Sequence, residues 1–145
     1  MKIALISCVS QKATDNPDVL LPARELYTSP LFKKALKFAE AQNPDRIYIL
    51  SAKHHLLRQD ALVGYYNVTL NKMTASERRE WAQEVLLMLE AENVDFENDE
   101  FIFFAGRNYL QYILSSGKIK HYKNVYGNFR GIGYLLHYLS NPIKL

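Results

Sequence analysis

One cysteine, Cys8, stands in the whole chain, so no internal disulfide can form and a reducing compartment is the natural setting. No apolar run approaches the roughly 20 residues a membrane-crossing helix needs. The opening Met1-Lys2-Ile3-Ala4-Leu5-Ile6 is too short in its apolar part for a secretory leader, and polar residues follow at once. The expectation is a cytoplasmic protein with no membrane partner. No Cys/His cluster suggests zinc, no G-x-x-x-x-G-K-[ST] suggests an ATP loop, and no G-x-G-x-x-G follows the first apolar run. No metal or cofactor is therefore expected. Blocks of Lys and Arg are missing as well. A net charge of +3 and a pI near 8.9 suit an anionic partner without marking a dedicated nucleic-acid arm.

What is present is ordinary globular material. The 145 residues, 48% hydrophobic and 23% charged, can bury one core, and nothing in them reads as a linker. Residues 1–145 are expected to form a single α/β domain. Lys2 to Ser7 reads as a buried strand, followed by a long polar stretch from Val9 to Ala23. Ser29-Pro30 opens a helix, with Ser as N-cap and Pro at the first helical position, and Asn43-Pro44 stops it. Arg46 to Leu50 is a second strand, ending in Ser51-Ala52-Lys53-His54. An irregular segment then runs to about Lys72. Thr74 with Glu77 forms a capping box before a helix that turns Trp81, Val85, Met88 and Leu89 inward.

Phe101 to Ala105 is apolar at every position and is expected to be a central strand. Gly106 makes a turn into a short helix over Arg107–Leu114. A final helix follows Gly131-Ile132-Gly133. Strand and helix alternate three times, which predicts a three-layer domain with a short, mainly parallel sheet flanked by helices. In such sheets ligands sit beyond the carboxyl ends of the strands. Three turns, near Ser7-Cys8, Ser51-Ala52-Lys53-His54 and Gly106-Arg107, should therefore meet at one rim.

Several strings also resemble a known group of sequences. Leu5-Ile6-Ser7-Cys8, Ala23-Arg24-Glu25-Leu26-Tyr27-Thr28-Ser29-Pro30-Leu31-Phe32, Leu50-Ser51-Ala52-Lys53-His54 and Thr69-Leu70-Asn71 occur in the order seen in a family of uncharacterised bacterial and phage domains. The resemblance covers nearly the whole chain and implies no settled activity. The Leu50-to-Leu70 segment is similar to a stretch of the peroxide-stress YaaA-type DNA-binding proteins, and the strand order is compatible with the uracil-DNA glycosylase fold. The chain departs from the family pattern at His55, where Gly is usual, at Tyr65, where Pro is usual, and at Asn67, where Asp is usual. The glycosylase motif G-Q-D-P-Y-H is absent after the first strand. If Asn67 replaces a catalytic carboxylate, this member binds without catalysing.

Each candidate has a plainer alternative. Lys53 can neutralise a phosphate and His54 can shuttle a proton near neutral pH; otherwise they belong to a turn, with Lys53 solvated and His54 capping a helix. Cys8 is a nucleophile if Lys12 or His54 favours its thiolate, or simply a small core residue. Ser7 and Ser51 are suited to hydrogen-bonding a ligand. Arg24 can grip a phosphate and Tyr27 can stack on a base, unless Arg24 only fixes the long loop. Gly106 and Arg107 offer an anion close approach at a helix start, with Tyr109 on the same rim. Asp60 is a candidate general base, paired with Tyr66 over the pocket, or a turn-stabilising Asp. The stretch from Lys118 to Arg130 mixes cations with Tyr122, Tyr126 and Phe129, as a single-strand binding surface would, or as an edge segment with wet polar ends would. The leading expectation is a nucleotide- or nucleic-acid-directed enzyme of the hydrolase or glycosidase type, with a non-catalytic DNA- or RNA-binding module as the alternative. Oligomeric state stays open.

Overall fold

Alternating side chains along three short strands place the core on both faces of one sheet. The computed structural model describes residues 1–8, 11–127 and 129–145. Val9 and Ser10, which open the long polar stretch, and Asn128, in the basic and aromatic stretch, lie outside the described residues. In chain order the elements are β1 (Lys2–Ser7), β2 (Leu21–Pro22), α1 (Ala23–Leu26), α2 (Pro30–Ala41), β3 (Arg46–Ser51), β4 (His55–Arg58), β5 (Leu62–Val63), α3 (Ala75–Ala91), β6 (Glu100–Phe104), α4 (Arg107–Ser115), β7 (His121–Asn124) and α5 (Ile132–Ser140), with a short 3-10 helix at Leu70–Lys72.

The main sheet runs β4-β3-β1-β6-β7. β1 pairs in parallel with β3 and β6, and β6 in parallel with β7, whereas β4 folds back antiparallel on β3. The α/β architecture with a mainly parallel sheet and flanking helices is thus the one the alternation predicts. Because side chains alternate across a strand, Ala4, Ile6, Ile49, Ile102 and Phe104 pack on one face with α2 and α5. Ile3, Leu5, Tyr48, Leu50, Phe101 and Phe103 pack on the other with α3 and α4. Both faces are covered, so these strands read as continuous apolar runs. β6 is interior, as its composition requires, but the middle place belongs to β1.

Helix ends follow local chemistry. Ser29 Oγ accepts the Phe32 N–H at 3.1 Å with Pro30 at the first helical position. At Thr74, Oγ1 accepts from the Glu77 N–H at 3.1 Å while the Glu77 carboxylate accepts the Thr74 N–H at 3.0 Å. Two edge strands escaped the sequence pattern. β4 lies inside the segment expected to be irregular, and β7 inside the basic and aromatic stretch. Among the described residues no helix is long and apolar enough to cross a membrane.

Candidate functional site

The register brings the strand ends level. Ser7 pairs opposite Leu50 and Ile6 opposite Phe104. The Ser7 hydroxyl donates to the Phe104 carbonyl at 3.2 Å, and the Cys8 N–H donates to the Leu50 carbonyl at 3.1 Å. From α4, the Tyr109 hydroxyl donates to the Cys8 carbonyl at 3.2 Å. The three turns expected to converge do lie at one edge of the sheet.

The centre of that edge is Tyr66, which comes from irregular chain after β5. Its hydroxyl lies 2.7 Å from Ser51 Oγ, 2.6 Å from the Tyr27 hydroxyl and 3.5 Å from Cys8 Sγ. Ser51 is fully buried, Tyr27 is 1% exposed and Cys8 6% exposed. Interior hydroxyls need partners, and these four side chains supply them to one another. Tyr27 therefore cannot offer its ring to a base as expected; it is a buried prop for Tyr66.

Ser51 also begins a tight hairpin. It pairs with His55, leaving Ala52, Lys53 and His54 at the tip. The His54 N–H donates to Ser51 Oγ at 3.1 Å, and the Trp81 indole N–H donates to the Ser51 carbonyl at 2.9 Å. His54 thus belongs to a hairpin turn, not to a helix cap. His55 holds φ at 66°, the left-handed region where glycine is at ease. A glycine would hold this backbone without the cost that a side chain carries there. The His55 ring is stacked on Trp81, 6.5 Å between centroids and 24° between planes.

Cations surround Tyr66. Lys12 Nζ lies 4.4 Å from the Tyr66 ring centre, 5.5 Å from that of Tyr65 and 5.9 Å from that of Tyr27. Lys53 Nζ lies 5.9 Å from the Tyr66 ring centre. The His54 ring meets the same ring edge-on at 5.2 Å. Ion pairs among the described residues join Met1 to Asp99, Arg24 to Glu40 and Arg58 to Glu92, so none involves Lys53. Burial pushes the hydroxyls of Tyr66, Tyr27 and Tyr109 well above the usual phenol range, keeping them neutral donors. Burial also lowers Lys12, an effect Cys8 partly offsets. His54 is held below the usual histidine range by burial first, then by Lys53 and His55. At neutral pH the site offers two lysines, a neutral imidazole and a set of hydroxyls.

Arg24 and Asp60 are not brought to this rim. They line a groove of about 670 Å³ beside the first half of β3, with Arg46, Tyr48, Arg58 and Glu92. Arg24 lies 3.6 Å from the Glu40 carboxylate, and Arg58 forms two hydrogen bonds with the Glu92 carboxylate, at 2.8 and 2.7 Å. The cause is the hairpin: β4 runs antiparallel to β3, with Arg58 opposite Tyr48, so the chain after β4 lies toward the far end of the sheet. Among the described residues the hydroxyl partners of Tyr66 are Tyr27, Ser51 and Cys8, and Asp60 is not one of them. Gly106 and Arg107 do lie at the strand ends but line a separate groove of about 410 Å³ with Gln111, Asn124, Tyr126 and Gly127. Asn67 is exposed.

Sequence reasoning noted Tyr65 only as a departure from the resembled pattern, and Trp81 only as a core residue. Only their order around Gly64 and on a helix face was available, and neither spacing points to the rim. Among the described residues no three His, Cys, Asp or Glu side chains gather as a metal would require.

Comparison with known proteins adds a family and no activity. The chain is similar to "Uncharacterized protein YfjM" of Bacillus subtilis strain 168, 29% identical over 153 aligned residues that cover 99% of this chain and 95% of that protein. No solved structure gives a significant match. Residues 3–141 match the family of unknown function DUF6884, and the chain belongs to that family.

Proposed function

We propose that this chain takes a phosphate-bearing nucleotide or nucleic acid at the strand-end rim, with His54 moving the proton in a hydrolytic, glycosidase-like step. The observation that carries the reading is the placing of the Lys12 and Lys53 ammonium groups, 4.4 and 5.9 Å from the centre of the Tyr66 ring, beside a neutral imidazole. Two cations on one buried aromatic support suit a phosphate as point charges. A neutral His54 can accept a proton from an attacking water and return it to the leaving group. Ser51 fixes the hairpin that carries both Lys53 and His54, so its role is to position them.

A second reading, binding without turnover, draws on one observation. Asp60, the carboxylate assigned to proton transfer, lines another groove. His54 is then alone as acid or base, and one such group contributes only part of a usual catalytic barrier reduction.

Replacing Lys53 and His54 together by Ala tests both readings, because the backbone N–H that holds the hairpin survives. Calorimetric titration with thymidine monophosphate should lose measurable binding while the melting transition moves little. Unchanged affinity in the double variant contradicts the proposal. Chromatography for released base after long incubation separates turnover from binding alone.

A further inference from the structure

We infer that the ligand of this rim is a single strand of nucleic acid laid across successive strand ends, rather than a mononucleotide held at one of them. The inference rests on the anion-binding reading above and extends it to the substrate class. The rim has two basins. The first, over the ends of β1 and β3, holds Lys12, Lys53 and His54 around Tyr66. The second, over the ends of β6 and β7, is lined by Gly106, Arg107, Gln111, Asn124 and Tyr126. A tether separates them: Tyr109 on α4 reaches Cys8, while Arg107, two residues earlier on that helix, lines the second basin.

Three features favour a strand. Neighbouring strands lie ~4.8 Å apart, which sets the ends of β3 and β7 roughly 14 Å apart. One phosphate cannot serve both basins over that span, and a short oligonucleotide can. Charge is the second feature. Among the described residues no Asp or Glu lines the second basin, and none is among the side chains gathered round Tyr66, whereas the arginine-lined groove beside β3 includes Asp60 and Glu92. Along the strand ends a polyanion therefore meets cations, whereas in the arginine-lined groove it meets carboxylates as well. The third is chemistry beyond charge. Tyr65 is half-exposed beside Lys12, a ring for an unstacked base, and Tyr126 carries a buried hydroxyl with no hydrogen-bond partner among the described residues. Base faces that could use a ring are hidden in a duplex and free in a single strand.

Fluorescence anisotropy on the full chain, using a labelled oligothymidylate of about eight nucleotides and thymidine monophosphate as competitor, tests the inference. The oligonucleotide should bind about tenfold or more tighter than the monophosphate, with affinity that falls as salt rises. Arg107→Ala should weaken the oligonucleotide severalfold and leave monophosphate competition unchanged. Lys53→Ala should weaken both. Both residues are exposed, and melting curves check that both variants fold. Monophosphate that competes as well as the oligonucleotide, with Arg107→Ala indifferent and Lys53→Ala still damaging, overturns the strand proposal and leaves the one-basin site standing. Failure of both ligands to bind, or indifference of both to Lys53→Ala, overturns the rim reading together with it.

Discussion

Tyr27 and Tyr66 meet hydroxyl to hydroxyl at 2.6 Å in the protein interior, and Tyr66 passes that contact on to Ser51 at 2.7 Å. The pair links the residue after α1 to the end of β3 through a side chain from irregular backbone. Tyr66→Phe keeps the ring that supports Lys12 and Lys53 and removes only the oxygen. It leaves the Tyr27 hydroxyl without its partner, so the fold should lose about 1–3 kcal/mol. Urea denaturation checks this: the midpoint should fall with an unchanged slope.

His55 tests the hairpin. Its φ of 66° carries a left-handed cost of roughly 1–2 kcal/mol for a residue with a side chain. His55→Gly removes that cost and gives up the stack on Trp81, so the two effects should nearly cancel, within about 1 kcal/mol. His55→Val keeps the cost, worsens it by branching and loses the stack. It should destabilise by about 1–2 kcal/mol relative to the glycine variant in the same denaturation measurement.

Lys12 separates stability from binding. Burial disfavours its charged form, while the three tyrosine rings favour a cation there. Lys12→Met keeps the length of the side chain and relieves the buried charge. Stability should therefore stay within about 1 kcal/mol of the parent, while phosphate affinity falls. Paired melting and calorimetric measurements on the one variant read both.

His54 predicts opposite responses to acid. Its depressed folded value means the fold opposes protonation, so the stability it contributes is intact above the unfolded value of about 6.5 and declines as pH drops below it. Phosphate affinity should move the other way, because an imidazolium adds a third cation beside Lys12 and Lys53. Between about pH 7 and about pH 5, affinity for a thymidine dinucleotide, whose phosphodiester keeps its charge across that window, should rise while the melting temperature falls. Both trends should weaken in His54→Ala.

Local signals carried much of this architecture. Ser29-Pro30 and Thr74 with Glu77 mark helix starts because capping is written within four residues. The convergence of Ser7, Ser51 and Gly106 follows from topology, since parallel strands place their carboxyl ends on one edge. Tyr66 could be suspected near the pocket but not seen as its hub, because its partners lie 58, 39 and 15 residues away in sequence. β4 was hidden because a four-residue run, His55–Arg58, is too short for periodicity to distinguish from loop. That missing strand explains the placing of Arg24 and Asp60 as well. Without the antiparallel return of β4, nothing in the sequence carries residue 60 away from the rim.

The most direct test is a nuclear magnetic resonance titration of the isotope-labelled chain with thymidine monophosphate, following backbone and side-chain amides. The account predicts saturable shifts concentrated near Cys8, Lys12, Lys53, His54 and Tyr66, abolished by the Lys53→Ala, His54→Ala double substitution. Shifts centred instead on Arg24, Arg58 and Asp60, or none at any ligand concentration, contradict it.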